Sequence, residues 1–484
     1  MTTIAIDQGT TSTRTMAISP DGICRVLASI EHAQHYPQAG YVEHDPEELI
    51  RNIGACLDAA GEFDHVAAIG IDNQGESCLG WNAETGEAVT PVIVWQDART
   101  NQITEQMKSE GVEPFVLERA GLPLDPYFSA SKLAWIVREV PEAQRLLRHG
   151  KLRLGTTDAF FLDRLTGRFA TDITTASRTS LMNLAIGDWD LELCRLFGVP
   201  IETLPPIIPS TGMIGSLKCG GRRRPLTASL VDQQASLYGH GCRKPGDAKI
   251  TFGTGAFALK ITGRLHGRAS GGPLPTVAWQ KAGESPVYAL DGGVYCASSA
   301  LNWARSLGLF SDWQDISAFG KPPAIDRGLM FVPALSGLAC PHWDRSARGA
   351  WLGLTLDTSK HDMIQAVLEG IALRTAEVIV SMEKSGALSD PVSIDGGLTG
   401  NAYFCQFLAD NLQRDVTVSS EPELTALGNA ALASEAAGEH FTFVQSGRRV
   451  RPKLHREDWS AKFAAAIAAV KTLGQEMASY TRTK

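Results

Sequence analysis

Two short strand–turn–strand units, placed about half a chain apart, constrain this 484-residue sequence more than any other feature. In the first unit, the β-prone run Ile4-Ala5-Ile6 enters a polar turn at residues 7–12, and an apolar return strand follows. In the second unit, residues 249–252 lead into Gly253-Thr254-Gly255, again followed by an apolar return strand. This recurrence predicts two related domains that face one cleft.

The rest of the sequence alternates predicted strands and helices, which is the pattern of an α/β protein. A helix is predicted to begin at Asp45-Pro46, because aspartate is a favourable N-cap and proline suits the first helical turn. Buried strands are predicted at residues 66–71 and 225–230, each followed by polar residues. Ligands collect at such strand ends in α/β sheets. We place the domain boundary after the second strand, which gives domains of residues 1–240 and 241–484.

Composition and charge exclude several classes of function. The net charge of −8 opposes binding to nucleic acid or to an anionic membrane surface. The sequence has no apolar run of membrane-spanning length, and its start lacks the features of a signal peptide. The nine cysteines are odd in number, widely spread and never in a CxxC pair, which favours reduced thiols over disulfides or a zinc site. We therefore expect a cytoplasmic protein without nucleic-acid or membrane partners.

The two Gly-Thr turns are candidate phosphate-binding loops. Glycine lets the backbone approach a phosphate closely, and the N–H groups of a turn form an anion-binding nest. Either turn alone is more typical of an ordinary hairpin, because short glycine motifs are common. The two together, one in each domain, fit a nucleotide clamped in the cleft. The side chains that would contact its phosphates are Thr10, Thr11, Ser12 and Arg14 in the first turn and Thr254 in the second.

Three aspartates at predicted strand ends are candidates for catalysis or ligand binding. Asp7 suits a site for Mg²⁺ beside the phosphates, and it equally suits a cap for its own turn. Asp232 suits a general base that orients an attacking hydroxyl, although an N-cap of the following helix is the alternative. Asp395-Gly396-Gly397 offers a flat surface for adenosine, or simply a turn between a strand and a helix.

These residues together resemble the FGGY family of carbohydrate kinases, and its glycerol kinase branch most closely. The resemblance runs from Ile4 to about Gly438, and many ordered matches are more specific than any one of them. The strings that carry it are Ile6-Asp7-Gln8-Gly9-Thr10-Thr11-Ser12, Tyr41-Val42-Glu43-His44-Asp45-Pro46, Val94-Trp95-Gln96-Asp97, Gly121-Leu122-Pro123-Leu124-Asp125-Pro126-Tyr127-Phe128-Ser129, Ala176-Ser177-Arg178-Thr179, Asp232-Gln233-Gln234, Phe252-Gly253-Thr254-Gly255, Asp395-Gly396-Gly397 and Thr425-Ala426-Leu427-Gly428.

The resemblance implies two actin-like (ribonuclease H-like) domains that close on ATP, Mg²⁺ and a small polyol, most simply glycerol giving glycerol 3-phosphate. It makes Asp232 the general base and places Asp7 near the metal. Besides the phosphate-contacting residues already named, it implies an adenine side of the nucleotide site formed by Ser298, Asn302, Gly397 and Asn401. It implies a polyol site at Gly75, Glu76, Trp95, Tyr127, Asp232, Gln233 and Phe257. We also expect a homo-oligomer, either a dimer or a tetramer.

Position 75 departs from the family pattern. Kinases of this family that phosphorylate glycerol have an arginine there, which donates hydrogen bonds to substrate oxygens, and Gly75 has no side chain. Losing such bonds costs about 1.5–3 kcal/mol each, so glycerol affinity would fall roughly ten- to a hundredfold. The vacated space would admit a tetritol or pentitol, unless another arginine reaches the site. At Ser298 the family usually has glycine, which affects a single nucleotide contact.

Two other classes of function remain as alternatives. The first is a non-catalytic sensor that binds nucleotide or sugar, which the missing arginine favours and the retained Asp7, Glu76, Asp232 and Gln233 oppose. The second is an actin-like ATPase acting as a chaperone or filament. The predicted polyol residues have no evident role in such an ATPase, which therefore ranks last.

Overall fold

The computed structural model describes residues 1–267, 271–442 and 446–482. The elements of the first half are β1 (Thr2–Gln8), β2 (Ser12–Ile18), β3 (Cys24–Glu31), β4 (Glu43–His44), α1 (Pro46–Ala59), β5 (Val66–Asn73), β6 (Cys78–Asn82), β7 (Val92–Ile93), α2 (Asn101–Ser109), α3 (Glu113–Ala120), α4 (Ser129–Glu139), α5 (Pro141–Arg148), β8 (Leu152–Thr156), α6 (Thr157–Thr166), β9 (Thr171–Asp172), α7 (Ile173–Ala176), β10 (Met182–Asn183), β11 (Asp188–Trp189), α8 (Leu191–Phe197), β12 (Ile207–Ile208), β13 (Thr211–Cys219), β14 (Arg222–Val231) and α9 (Asp232–Gly239).

The elements of the second half are β15 (Ala248–Phe252), β16 (Ala256–Ile261), β17 (Leu274–Trp279), β18 (Val287–Val294), α10 (Ser298–Ser306), β19 (Met330–Val332), β20 (Ala350–Leu352), α11 (Lys360–Glu383), β21 (Val392–Asp395), α12 (Ala402–Leu412), β22 (Val416–Ser419), α13 (Leu424–Ala436), β23 (Gly447–Val450) and α14 (Asp458–Arg482). Short 3₁₀ helices lie at Ala60–Glu62, Ile201–Thr203, Trp313–Ile316, Ile325–Arg327 and Gly397–Gly400.

Two large mixed sheets organise the molecule, and they share one plan. The first has the strand order β13-β14-β5-β1-β2-β3, and the second has the order β17-β18-β16-β15-β21-β22-β23. Each contains the antiparallel pair that flanks a Gly-Thr turn, β1 with β2 and β15 with β16, and parallel strands continue from the first member of that pair. The α/β class and the two similar sheets predicted from the repeated units are confirmed.

Local sequence signals account for most of these elements. Asp45 caps α1 as predicted, since its carboxylate accepts a hydrogen bond from the backbone N–H of Glu47 at 2.9 Å. The apolar face of α1 then packs on the first sheet through Leu49, Ile53 and Leu57, all of which are buried. The strands predicted at residues 66–71 and 225–230 lie within β5 and β14.

One helix from the second half of the chain packs on the first sheet. Helix α13 contacts β1, β5 and β14, and it crosses α9 closely. A Cβ atom built on Gly428 would lie 1.9 Å from the carbonyl oxygen of Ala235, and one on Gly239 would lie 1.8 Å from that of Leu424. Only glycine permits this approach. The Thr425-Ala426-Leu427-Gly428 string thereby fixes α9, which begins at Asp232.

All nine cysteines are free, and every one except the half-buried Cys24 is buried. Among residues 1–267, 271–442 and 446–482, no helix is long and apolar enough to span a bilayer. The larger hydrophobic cores lie between each main sheet and its helices, which leaves the carboxyl ends of the central strands free to form a cleft.

Candidate active site

Three parallel strands of the first sheet end side by side and bring acidic residues together. Asp7 on β1 pairs in register with Asp72 on β5, and Leu230 on β14 also pairs with Asp72. Asp232 follows as the first residue of α9. Its carboxylate accepts the adjacent N–H of Gln233 at 2.6 Å, and the N-cap residue of α9 is Val231, whose side chain makes no capping bond. The alternative that Asp232 caps this helix is therefore wrong.

Asp232 lies in the wall between two cavities. The inner cavity, of about 260 Å³, is lined by the predicted polyol residues Gly75, Glu76, Trp95, Tyr127, Gln233 and Phe257. The outer cavity, of about 310 Å³, is lined by Asp7, Ser12 and Arg14. Asp232, Gln233 and Thr251 line both. The carboxylate of Asp232 can therefore face a small molecule in the inner cavity and a phosphate chain in the outer cavity.

The predicted nucleotide residues divide into three groups, of which the first, Ser12 and Arg14, lines the outer cavity. Thr10 and Thr254 line the inner cavity rather than the outer one, and exposed Thr11 lines neither. The adenine-side residues also line neither cavity. Asn401 caps α12 and donates to the carbonyl oxygen of Ile316 at 2.8 Å. Gly397 is exposed, with open space where a side chain would stand, and Ser298 and Asn302 lie on α10. Their roles stay predictions.

A rigid loop holds Trp95 at the inner cavity. The indole N–H donates to Thr10 Oγ1 at 3.1 Å, and the Trp95 backbone N–H donates to Ser77 Oγ at 3.1 Å. Below it, Arg99 forms an ion pair with Asp97 at 2.8 Å and another with Glu43 at 2.7 Å, all of them largely buried. The strings around Tyr41 and Trp95 thus build one wall of the cavity.

Glu76 and Arg178 form a buried ion pair inside the inner cavity. Glu76 has a φ of 60°, a left-handed conformation that is costly for a residue with a side chain. Its Oε1 accepts from Arg178 Nε at 2.6 Å, while Arg178 Nη2 contacts Asp291 Oδ2 on β18 at 3.0 Å. Arg178 belongs to the string Ala176-Ser177-Arg178-Thr179 that carries the family resemblance, but neither Arg178 nor Asp291 was predicted to be a site residue.

Lys249 is a second buried cation at the site, and the sequence pattern did not predict it. It is 0% exposed, and its ammonium donates to Gln233 Oε1 at 2.5 Å and to Thr251 Oγ1 at 3.0 Å. Burial lowers its pKa, against the attraction of Asp395, Asp232 and Asp291. Lys249 therefore orients Gln233 and offsets negative charge behind both cavities.

Asp7 and Asp72 form a tightly coupled carboxyl pair below the outer cavity. Burial and the charges of Asp7 and Asp232 raise the pKa of Asp72 well above its usual range, although Asn429 Nδ2 donates to it at 2.9 Å. A hydrogen bond from Asp72 opposes the effect of burial on the pKa of Asp7. The pKa values of both carboxyls are raised, that of Asp72 more strongly, and Asp7 is the member of the pair that lines the outer cavity.

Comparisons with known proteins agree with this geometry. The sequence model for the N-terminal domain of the FGGY family of carbohydrate kinases matches residues 2–239, and that for the C-terminal domain matches residues 248–437. The chain belongs to the FGGY family of carbohydrate kinases. A glycerol kinase of Citrifermentans bemidjiense is 40% identical over 470 residues, which cover 94% of this chain and 95% of that relative.

Solved structures place the FGGY chain in the same fold. The crystal structure of Plasmodium falciparum glycerol kinase with ADP has a TM-score of 0.89 at 27% identity, covering 97% of this chain and 98% of the other. The xylulose kinase of Rhodospirillum rubrum has a TM-score of 0.86 at 23% identity, covering 98% and 100%, and shows the same fold. As an FGGY kinase the chain has the expected two-domain, actin-like architecture and uses ATP.

Proposed function

We propose that the chain transfers the γ-phosphoryl group of ATP to a terminal hydroxyl of glycerol, which gives glycerol 3-phosphate. The observation that carries the proposal is the position of Asp232 in the wall shared by the inner and outer cavities. A relative named glycerol kinase at 40% identity over nearly the whole chain supports glycerol as the acceptor.

Asp232 acts as the general base. Its carboxylate takes the proton of the polyol hydroxyl, whose oxygen forms a bond to the γ-phosphorus as the bond to the bridging oxygen of ADP breaks. Glu76, Tyr127 and Gln233 position the polyol in the inner cavity, while Trp95 and Phe257 form its apolar walls. Ser12 and Arg14 donate to phosphate oxygens in the outer cavity. Closure of the domains keeps water from competing with the polyol.

Asp7 is suited to hold Mg²⁺ together with the phosphates. Mg²⁺ usually binds through one or two carboxylates, water and substrate phosphates rather than through an all-protein cage. That preference fits this site, because residues 1–267, 271–442 and 446–482 contain no cluster of three His, Cys, Asp or Glu side chains able to hold a metal. Asp7 lines the outer cavity beside Ser12 and Arg14, the residues proposed to contact the phosphates. Bound Mg²⁺ would neutralise charge on the transferred group.

The pH profile should report Asp232. Burial, with the charges of Asp7 and Glu76, raises the pKa of Asp232 to about 7. A base works only when ionised, so kcat/KM should rise with pH up to about 7 and then level off. Asp7→Asn removes a charge that raises this pKa, so the acid limb should move to lower pH. A wild-type limb near pH 4, where an ordinary aspartate titrates, would contradict the assignment.

A longer polyol is the second candidate acceptor, because Gly75 lines the inner cavity and places no side chain in it. A Cβ atom at this position would press on Val231 Cγ1, at 3.1 Å. The inner cavity also adjoins a further cavity of about 470 Å³, with which it shares Trp95, Tyr127 and Phe257. These features would admit a four- or five-carbon chain in addition to glycerol.

An ATP-consumption assay on glycerol, erythritol, threitol, xylitol and ribitol tests both candidates. The Gly75→Arg variant should add a side chain to the inner cavity and lower kcat/KM for tetritols and pentitols at least about tenfold relative to glycerol. Gly75→Ala is the matched control, since it requires only a small shift of Val231, and it should change these ratios less than about twofold. Tight ATP binding without turnover on any polyol would favour a non-catalytic sensor instead.

The location and assembly of the protein belong to the same proposal. A cytoplasmic location is supported by the nine free cysteines, which suit a reducing compartment. A homo-oligomer, either a dimer or a tetramer, is supported by exposed apolar side chains of the second domain, including Leu354 and Leu356. Light scattering on the purified chain measures the assembly directly.

A further inference from the structure

Arg178 is the most deeply buried cation facing the inner cavity. It follows the short helix α7, it lines the cavity, and only 4% of its surface is exposed. Two of its three nitrogens are used, Nε by Glu76 at 2.6 Å and Nη2 by Asp291 at 3.0 Å. The third, Nη1, is buried and has no hydrogen-bond partner within residues 1–267, 271–442 and 446–482. The guanidinium also lies 5.4 Å from the centre of the Phe128 ring, so its orientation is fixed.

An unpartnered N–H on a buried charged group is costly, and a native protein rarely keeps one without a use for it. An oxygen of a molecule in the cavity would satisfy Nη1. The charge around Arg178 indicates what kind of oxygen. Glu76 and Asp291 already outnumber the single guanidinium, and Asp232 lines the same cavity. A neutral hydroxyl fits this surrounding, whereas a carboxylate or phosphate would be repelled by it.

We propose that Arg178 Nη1 donates a hydrogen bond to a hydroxyl oxygen of the polyol and so supplies the contact that Gly75 lacks. This inference rests on the proposed function and names the residue that selects its acceptor. Glu76 lies in the first domain and Asp291 on β18 of the second sheet, so one guanidinium joins both sides of the cleft. The polyol contact is therefore complete only when the two domains are closed, which couples acceptor binding to closure.

Kinetics of Arg178→Lys and Arg178→Met test the contact. Both should raise KM for glycerol about 10- to 100-fold, the effect of losing a hydrogen bond from a charged donor. The rise in KM for glycerol should exceed any change in KM for ATP by about tenfold or more. Arg153→Lys is the matched control, because Arg153 pairs with Asp163 and faces Phe169 outside both cavities, and it should leave every constant unchanged.

Acceptors that lack one hydroxyl separate a contact from a purely structural role. Wild-type enzyme should have a higher kcat/KM for glycerol than for 1,2-propanediol or 1,3-propanediol. In the Arg178 variants, the ratio of kcat/KM for glycerol to that for one of these diols should fall about tenfold or more. The double variant Gly75→Arg/Arg178→Met should have a lower KM for glycerol than Arg178→Met alone, because Gly75→Arg returns a guanidinium to the cavity. Glycerate should be a poor acceptor in wild type because its carboxylate is repelled.

The outcomes distinguish the two proposals. Wild-type enzyme that turns over no polyol contradicts the proposed function itself. Wild-type enzyme that phosphorylates glycerol, with Arg178 variants whose glycerol KM rises less than about twofold, contradicts only the role of Arg178. If kcat/KM falls by the same factor for glycerol and for both propanediols, the proposed contact is also contradicted, because loss of a purely structural residue would give that pattern. Variants that fail to fold are replaced by Asp291→Asn, which keeps the guanidinium but should weaken the coupling and raise glycerol KM.

Discussion

Replacing Asp232 by asparagine should abolish phosphoryl transfer and at the same time make the folded protein more stable. Loss of a general base costs typically 10²- to 10⁴-fold in rate, and the neutral amide cannot take the hydroxyl proton. The loss should appear in kcat at saturating ATP and polyol, with KM for ATP nearly unchanged. The measurement is an ATP-consumption assay on glycerol with wild type and Asp232→Asn.

The gain in stability follows from the raised pKa. Burial and neighbouring carboxylates raise the pKa of Asp232 from 3.8 to about 7, so its charge destabilises the fold as pH rises through this interval. Below pH 4 the group is protonated in both states and contributes nothing. At pH 8 the penalty is fully present, at most about 4 kcal/mol, and Asp232→Asn removes it. Thermal unfolding should therefore show a higher Tm for the variant at pH 8.

Asp362 provides a control of opposite sign. Hydrogen bonds from Ser359, Lys321 and Arg327 outweigh burial there and hold the pKa of Asp362 below its usual range. Its charge stabilises the fold above pH 4, so Asp362→Asn should lower the Tm at pH 8 and leave turnover intact. Full turnover in Asp232→Asn would show that another group removes the proton, and a lower Tm would show that the carboxylate is not under electrostatic strain.

Local patterns in the sequence were enough to predict the main elements that build the site. The strands on each side of residues 7–12 and 253–255 are short apolar runs separated by polar turns, and both occur as β1, β2, β15 and β16. Asp232 was predicted because it follows a buried strand. The family resemblance added Glu76, Trp95 and Tyr127, which line one cavity with Asp232. No periodicity or spacing in the sequence would have grouped them.

Contacts between distant segments could not be predicted in the same way. Arg178 and Asp291 are separated by more than a hundred residues, and their ion pair depends on how the two sheets face each other. Lys249 looks like an ordinary alternating residue of a strand until α9 brings Gln233 against it. Asp72 is the first of the polar residues that follow a predicted buried strand, and only the register of β1 and β5 places it beside Asp7. The available signals were a lysine within a predicted strand, for Lys249, and an aspartate at a predicted strand end, for Asp72.

Lys249→Met should give the second large effect, a fall in kcat/KM of about a hundredfold accompanied by a changed pH profile. The ammonium orients Gln233 and lowers the pKa of Asp232, so its loss frees the Gln233 side chain and raises that pKa above 7. The acid limb should therefore move to higher pH, which leaves less ionised base at neutral pH. Lys249→Met also leaves Gln233 Oε1 and Thr251 Oγ1 without their donor, which costs about 1–3 kcal/mol of stability. Kinetics from pH 5 to 9 and the Tm measure these effects.

Lys260 separates the local effect from simple loss of a buried lysine. It is 1% exposed like Lys249, but its ammonium donates to the carbonyl oxygen of Met382 and to Ser385, away from both cavities. Lys260→Met should lower the Tm and leave the pH profile of kcat/KM in place. If both lysine variants lose stability and neither moves the acid limb, then Lys249 only supports the fold. If the acid limb of the kcat/KM profile moves in Lys249→Met and not in Lys260→Met, then the charge of Lys249 lowers the pKa of the general base Asp232.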